Sequence, residues 1–464
     1  MSYLRNSFAS AIMLIYIGNA MSPVAFAQTA TNPPASASAA ILDTAARIEI
    51  INSIVTSLQE QYVDEDAGKR IGDHIITASK AGAYDNLSNP AQFAEAITHD
   101  LQAINGDLHL SLRPAGPEQQ HIVILKKSKD GASPDNEEQQ AQAAMTAEAR
   151  RQNFGLGRAE ILDGNIGYLE IRAFEAGDGY EEAVADALRF LQYTDAIIID
   201  LRRNHGGSGE MSNLVYSHFF SAKPIPTINF ASRNSKEPEK MFTMDKVPGP
   251  RRPDVPLYVL NSQDTASAAE EFNFVLQNHH RATLVGTRTA GAGHMVRAVP
   301  VAHGFMLQVS ITRVTDPASG KEWEGAGVQP DIRAKPEWAL AVAHAEAVRR
   351  ILAGTSDGAT KQKLAKLLVT LDAQNRPQVE TPAALIDYVG IYQGREITLN
   401  GSKLSFGRAG GMPEELTNLG GLRFALRSTQ ISFEMSGGKP NLLIEYADGS
   451  KVRLQSDSGA STTH

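Results

Sequence analysis

The spacing of apolar residues changes character twice along this chain. Ile41, Ala45, Ile48, Ile51, Val55, Leu58 and Tyr62 recur at helical intervals, and Asn89-Pro90 opens a second helix carrying Phe93, Ile97, Leu101 and Ile104. A helical N-terminal region over 41–108 is expected. The stretch 126–153 is charged and rich in Gln and Ala, without strand alternation, and reads as a surface excursion. Beyond it, 167–171 alternates like a strand, 196–201 is a continuous apolar strand, and 257–260 and 283–286 continue the alternation with helical stretches at 180–191 and 267–276. Strands that are apolar throughout need cover on both faces, so these predict a layered α/β core, assigned to 109–352. A helix and a proline-bearing linker follow over 353–386. The period then becomes two: 397–406 reads as a hairpin turning at Asn400-Gly401, and 447–450 closes another, giving a small antiparallel β module over 387–464.

The first residues change the picture of where the chain works. Arg5, a mostly apolar run over 9–20 and Ala25-Phe26-Ala27 together read as an export signal over 1–27, followed by a flexible Ala/Ser/Thr/Pro leader over 28–40. The apolar run is shorter than the roughly 20 residues a membrane span needs. Cleavage is therefore expected, leaving no stable membrane span and a periplasmic or secreted protein. The chain has no cysteine, which excludes disulfides, a thiol nucleophile and Cys-based metal sites; no metal and no cofactor are expected. An apolar share of 42% gives an ordinary globular balance, and a net charge of -8 provides no basic footprint for nucleic acid.

Four segments carry candidate chemistry. Ser267 follows a predicted strand and begins a helix, so a nucleophilic hydroxyl there would lie beside helix N-terminal amides. The same residue also reads as a helix N-cap, with Glu270 completing a capping box. Asp200-Leu201-Arg202-Arg203-Asn204-His205-Gly206-Gly207 is a Gly-rich turn after a buried strand, able to present backbone amides or to serve only as a turn. It lacks the Lys-Ser/Thr of a phosphate loop. His109, in Asp107-Leu108-His109-Leu110, stands at a helix-to-strand junction and is a candidate base or a plain surface imidazole. Glu324, in Trp323-Glu324-Gly325-Ala326-Gly327-Val328-Gln329-Pro330-Asp331, is a candidate orienting acid or a loop acid.

In their order these segments resemble one family, the serine peptidases that include the C-terminal processing peptidases, the tricorn core peptidase and interphotoreceptor retinoid-binding protein. The last branch is the nearest in pattern. The resemblance rests on Asp107 to Leu110, Gly167-Tyr168-Leu169, Asp200 to Gly207, Ser267-Ala268-Ala269-Glu270-Glu271, Gly286 to Gly291 and Trp323 to Asp331, and spans about 41–335. It implies a ββα layered core similar to the Clp and crotonase folds. It implies Ser267 as nucleophile, His109 as general base and Glu324 as the acid that orients it. An oxyanion hole would come from the amide of Ala268 with that of Gly206 or Gly207. The expected function is an exported serine hydrolase acting on peptides or partly unfolded proteins through an acyl-enzyme, with an esterase or a non-catalytic carrier of apolar ligands as alternatives. Two departures stand out. Ala292 occupies the place where processing peptidases carry a lysine base, and the interval 113–162 is too short and polar for a PDZ domain.

Overall fold

The structure is a computed structural model and describes residues 41–115, 136–233, 235–375 and 385–457. The leader read over 1–40 and most of the linker lie outside them. Three helices lead: α1 (Thr44–Gln61), α2 (Glu65–Lys80) and α3 (Pro90–Gln102). Each starts where a short acceptor side chain takes up free N-terminal amides: Asp43 accepts from Ala46, Asp64 from Ala67, and Asn89 from Ala91 and Gln92. The sequence pattern shows α1 and α3 but misses α2. The buried stripe of α2 is Ala67, Gly68, Ile71, Gly72 and Ile75, which contains too few large apolar residues to display a period.

After β1 (Ser111–Pro114) comes α4 (Asn136–Arg151), a helix inside the stretch expected to be an irregular excursion. Gln- and Ala-rich sequence has good helical propensity, which the charge count obscures. The core then runs through β2 (Leu156–Leu162), β3 (Ile166–Ile171), α5 (Tyr180–Phe190), β4 (Ala196–Asp200), α6 (Gly209–Ser217), β5 (Pro226–Ser232), β6 (Glu239–Phe242), β7 (Leu257–Asn261), α7 (Ala268–Asn278), β8 (Thr283–Gly286), β9 (Met295–Val301), β10 (Phe305–Thr315), β11 (Ile332–Arg333), α8 (Pro336–Gly354) and α9 (Gly358–Gln374).

Six of these strands form one sheet in the order β11-β8-β7-β4-β3-β2, parallel except for the edge strand β2. The central strands β3, β4 and β7 are buried along their whole length because both faces are covered, whereas the edge strand β2 is largely exposed. Ile197, Ile199, Leu257 and Val259 join the core beneath α5, α6 and α7, whereas Ala196, Ile198, Tyr258 and Leu260 join the core beneath α8 and α9. A second, antiparallel sheet has the order β1-β10-β5-β6 with β9 also paired to β10. The N-terminal helices pack against it through a separate core that includes Ile50, Ile54, Leu58, Phe93, Leu307 and Val309. The loops that leave the carboxyl ends of β4, β7 and β8 contain Gly206, Ser267 and Thr289 respectively. Ligand sites in open parallel sheets form at this end of the strands.

The C-terminal strands, β12 (Gly390–Tyr392), β13 (Arg395–Asn400), β14 (Lys403–Arg408), β15 (Glu414–Glu415), β16 (Thr417–Gly420), β17 (Arg423–Leu426), β18 (Thr429–Ser436), β19 (Lys439–Glu445) and β20 (Lys451–Gln455), make two antiparallel sheets around their own apolar cluster. One detail differs from expectation. Asn400 pairs with Lys403, so the two-residue turn is Gly401-Ser402 and not Asn400-Gly401. Gly401 takes the positive φ of 60° that the first position of such a turn demands.

Candidate active site

Ser267 sits between β7 and α7 with φ 54° and ψ -123°, a left-handed setting that is uncommon for a residue with a side chain. Hydrogen bonds from the preceding turn impose it. The Thr265 hydroxyl donates to the Leu201 carbonyl at 2.8 Å, and the Ala266 amide donates to the Asn204 carbonyl at 3.1 Å. The serine's own amide donates to Glu270 Oε2 at 3.0 Å, the backward half of the capping box foreseen from the sequence. The Gly-rich loop lies directly against this turn. A Cβ at Gly206 would stand 2.7 Å from Ser267 Cβ and 3.0 Å from the Ala268 nitrogen, and its φ of 104° is also one that glycine tolerates. The Gly206 amide is taken by Asn204 Oδ1 at 2.8 Å. Of the two glycines, Gly207 is the one whose amide Asn204 does not take.

His109 is buried between α3 and β1, and it meets two acids there. One ligand atom each from Asp107, His109 and Glu324 lies within 4.8 Å of the other two. Asp107 is fully buried and accepts from the His109 amide at 2.9 Å and from the Tyr62 hydroxyl at 2.7 Å. Glu324 Oε2 accepts from the amides of Gly293 at 2.6 Å and His294 at 2.9 Å, while its Oε1 and His109 Nδ1 are buried without a partner.

The loop 289–294 ties the two halves together. Glu270 accepts from the Thr289 hydroxyl at 2.5 Å, the Gly291 amide at 2.6 Å and the Ala292 amide at 2.7 Å, and the next two amides turn to Glu324. A Cβ at Gly293 would come within 2.9 Å of the Glu324 nitrogen, so the loop can pass this close only as glycine. Ala292 is buried at this crossing, and the place where processing peptidases carry lysine has no amine.

The charges divide unevenly. Burial depresses His109 to about 4, against the pull of Asp107, so it is a neutral imidazole at neutral pH. Burial and then the Asp107 charge push Glu324 up to about 7, with His294 acting the other way. Burial also works on Asp107, but hydrogen bonds from its neighbours prevail and hold it at about 2. The structure thus brings together His109 and Glu324, and sets Ala268, Gly206 and Gly207 about Ser267. Sequence reasoning gave no role to Asp107 or His294. Asp107 was visible as the residue two before His109, and His294 as an imidazole two places after the missing lysine.

Comparison with known proteins finds matches to one peptidase family. Residues 165–334 match Peptidase family S41, and residues 36–151 match the N-terminal domain of Peptidase S41 in eukaryotic IRBP. The chain is 24% identical over 297 residues to the carboxy-terminal processing protease CtpB of Bacillus subtilis, covering 59% of each chain. It is 33% identical over 172 residues to a carboxyl-terminal-processing protease of Synechocystis, covering 36% of this chain and 37% of that one. With the chloroplastic carboxyl-terminal-processing peptidase 1 of Arabidopsis thaliana it shares 26% identity over 321 residues, covering 62% of this chain and 63% of that one. The chain thus spans less than two thirds of the length of each of these relatives. Among solved structures, mature CPAF complexed with lactacystin aligns with a TM-score of 0.45 at 14% identity, covering 70% of this chain and 99% of that one. The tricorn protease aligns with a TM-score of 0.38 at 14% identity, covering 64% and 35%.

Proposed function

We propose, from the premise that this chain belongs to peptidase family S41, that it is an exported serine peptidase using Ser267, His109 and Glu324 on peptides or partly unfolded proteins. The observation that carries the reading is the meeting of His109 and Glu324, 215 positions apart in sequence, in one buried cluster tied by the loop 289–294 to the turn that holds Ser267. A hydroxyl needs a neutral base, and His109 is neutral because it is buried. In the attack the Ser267 proton passes to His109 as Oγ bonds to the carbonyl carbon, and Glu324 stabilises the imidazolium that results. The amides of Ala268 and Gly207 would receive the oxyanion. Collapse of the tetrahedral species returns the proton to the leaving amine, and water then repeats the sequence on the acyl-enzyme.

Export rests on the N-terminal residues alone. Among the described residues no helix is long and apolar enough to cross a membrane.

Ser267→Ala tests the reading. It should abolish peptide turnover and labelling by a fluorophosphonate, with stability changed by no more than about 1 kcal/mol, the worth of a capping hydroxyl. Labelling that persists in this variant removes Ser267 from the role.

A further inference from the structure

His294 is not among the residues that the serine-peptidase reading uses, yet it is buried against two of the acids around the site. Its side chain is 7% exposed. Nδ1 stands 3.6 Å from Asp107 Oδ2 and 3.7 Å from Glu324 Oε2, almost equidistant, and Nε2 is 4.0 Å from Glu322 Oε2. Neither ring nitrogen has a hydrogen-bond partner, so these ion-pair distances are the polar contacts the ring makes. We propose that His294 is a positioning residue whose imidazolium bridges Asp107 and Glu324 and keeps Glu324 ionised for His109. The inference rests on the triad reading above and extends it to a fourth side chain.

The argument is one of charge balance in a small buried volume. Asp107 carries a charge at every pH of interest, and it faces the same cluster as Glu324. Ionising Glu324 therefore places a second carboxylate beside a first. Two like charges in one buried site suppress each other unless a cation intervenes. Tyr62 gives Asp107 a hydrogen bond but no charge. Arg313 is committed to Glu322 at 3.2 Å, which removes Glu322 as a strong claimant on His294. His109 is itself neutral before attack. Among the described residues facing Asp107 and Glu324, His294 is the one whose ion-pair distances to both lie within 4 Å. Burial drives its pKa down, but Asp107 and Glu324 outweigh burial and hold it above the ordinary imidazole value.

A purely structural histidine and a charge bridge respond differently to pH. His294→Asn removes the cation while the amides of residues 293 and 294 can still hold Glu324. The fluorophosphonate labelling rate and kcat should fall roughly tenfold at pH 6.5, with KM little changed, and the acid limb should move up by about one pH unit. By about pH 9 the deficit should close to within roughly twofold, because Glu324 then ionises unaided. His294→Gln should behave likewise, and His294→Lys should recover the rate at pH 6.5. A loss of equal size at every pH, or no loss in either neutral variant, overturns the bridge. His109→Ala separates this from failure of the triad. If that variant labels at the full rate, the base is misassigned; if it is inactive while His294→Asn shows no pH-dependent loss, only the bridge is wrong.

Discussion

Glu270 and Glu324 are both acids held by the loop 289–294, but they are held in opposite ways. Glu270 has four donors shared between its two oxygens: the Thr289 hydroxyl and the amides of Ser267, Gly291 and Ala292. Glu324 has two amides on one oxygen and nothing on the other. Saturation makes Glu270 a fastener for the Ser267 turn. A buried lone pair left open makes Glu324 available to a second group, and His109 lies within 4.8 Å. The difference teaches that two buried carboxylates on one loop can be engaged to different degrees, and the proposed role of Glu324 draws on the oxygen left open.

Replacing each acid by its amide should break the pair apart. Glu324→Gln should lower kcat/KM by about a hundredfold or more while leaving the melting temperature nearly unchanged, because the amide oxygen can keep both backbone donors. In Glu270→Gln the new NH2 must face two donors whichever way it is turned. Thermal or urea unfolding should show a loss of about 1–3 kcal/mol, the cost of leaving buried polar groups unmatched. If Glu324→Gln were the destabilised protein and Glu270→Gln the slow but stable one, the roles would be reversed.

The pH dependence of activity sharpens the same contrast. With His109 neutral down to about 4 and Glu324 held up at about 7, the acid limb of kcat/KM should lie near pH 7 and belong to Glu324. Glu324→Gln should abolish that limb along with most of the rate. A limb that stays near pH 7 in this variant would assign the ionisation elsewhere.

A third acid lies one residue beyond Glu270. Burial raises Glu271 from 4.5 to about 8, and its Oε1 has no partner. Folding therefore takes up a proton between pH 4.5 and 8, and the associated stability, complete below 4.5, is lost as pH rises through 8. Glu324 contributes in the same direction; His109 and His218, both depressed to about 4, act oppositely, losing stability as pH falls from 6.5 towards 4. Glu271→Gln should raise the melting temperature at pH 8.5 by roughly 2–4 °C for each kcal/mol recovered and leave the value at pH 5 almost unchanged. Equal melting curves for the two proteins at pH 8.5 would show that the carboxyl pays no penalty for its burial.

Much of this was legible from sequence where chemistry and periodicity coincide. The strand at 196–200 reads as buried on both faces because every residue from Ala196 to Ile199 is apolar, and the Asn89-Pro90 start of α3 follows from capping rules. The proposal of Ser267, His109 and Glu324 rests on ordered motifs and not on spacing, since no local signal joins residue 109 to 324. The antiparallel sheet of β1, β5, β6, β9 and β10 was missed: β9 and β10 mix apolar with polar residues on half-covered faces, and their partners are remote in sequence. The His294 contact was invisible for the same reason. Its partners come from positions 107 and 324, and only the fold brings them within 4 Å.

The smallest effect is expected from the region least like the site. Residues 387–464 were read as a separate module, and the strands there keep an apolar cluster of their own, built on Tyr388, Tyr392, Phe424, Phe433 and Leu442. Their attachment to α9 is polar: Lys366 donates to the Tyr446 carbonyl at 2.6 Å and pairs with Glu445 at 3.0 Å, the Thr370 hydroxyl donates to the Arg427 carbonyl at 2.7 Å, and Gln374 donates to Thr417 at 2.9 Å. The same helix also joins the core through Leu364, Leu367 and Leu371. Removing the module would thus expose lysine, threonine and glutamine side chains, which water can solvate, and leave these leucines in place. Among the described residues, none of those given as contacts of Ser267, His109 or Glu324 comes from the module. A chain ending at 386 should therefore stay soluble, and its fluorophosphonate labelling rate should remain within about twofold of the full chain, as expected for sites without shared partners. An insoluble or unlabelled truncated chain would show that the module is part of the catalytic fold and would move the boundary drawn at 387.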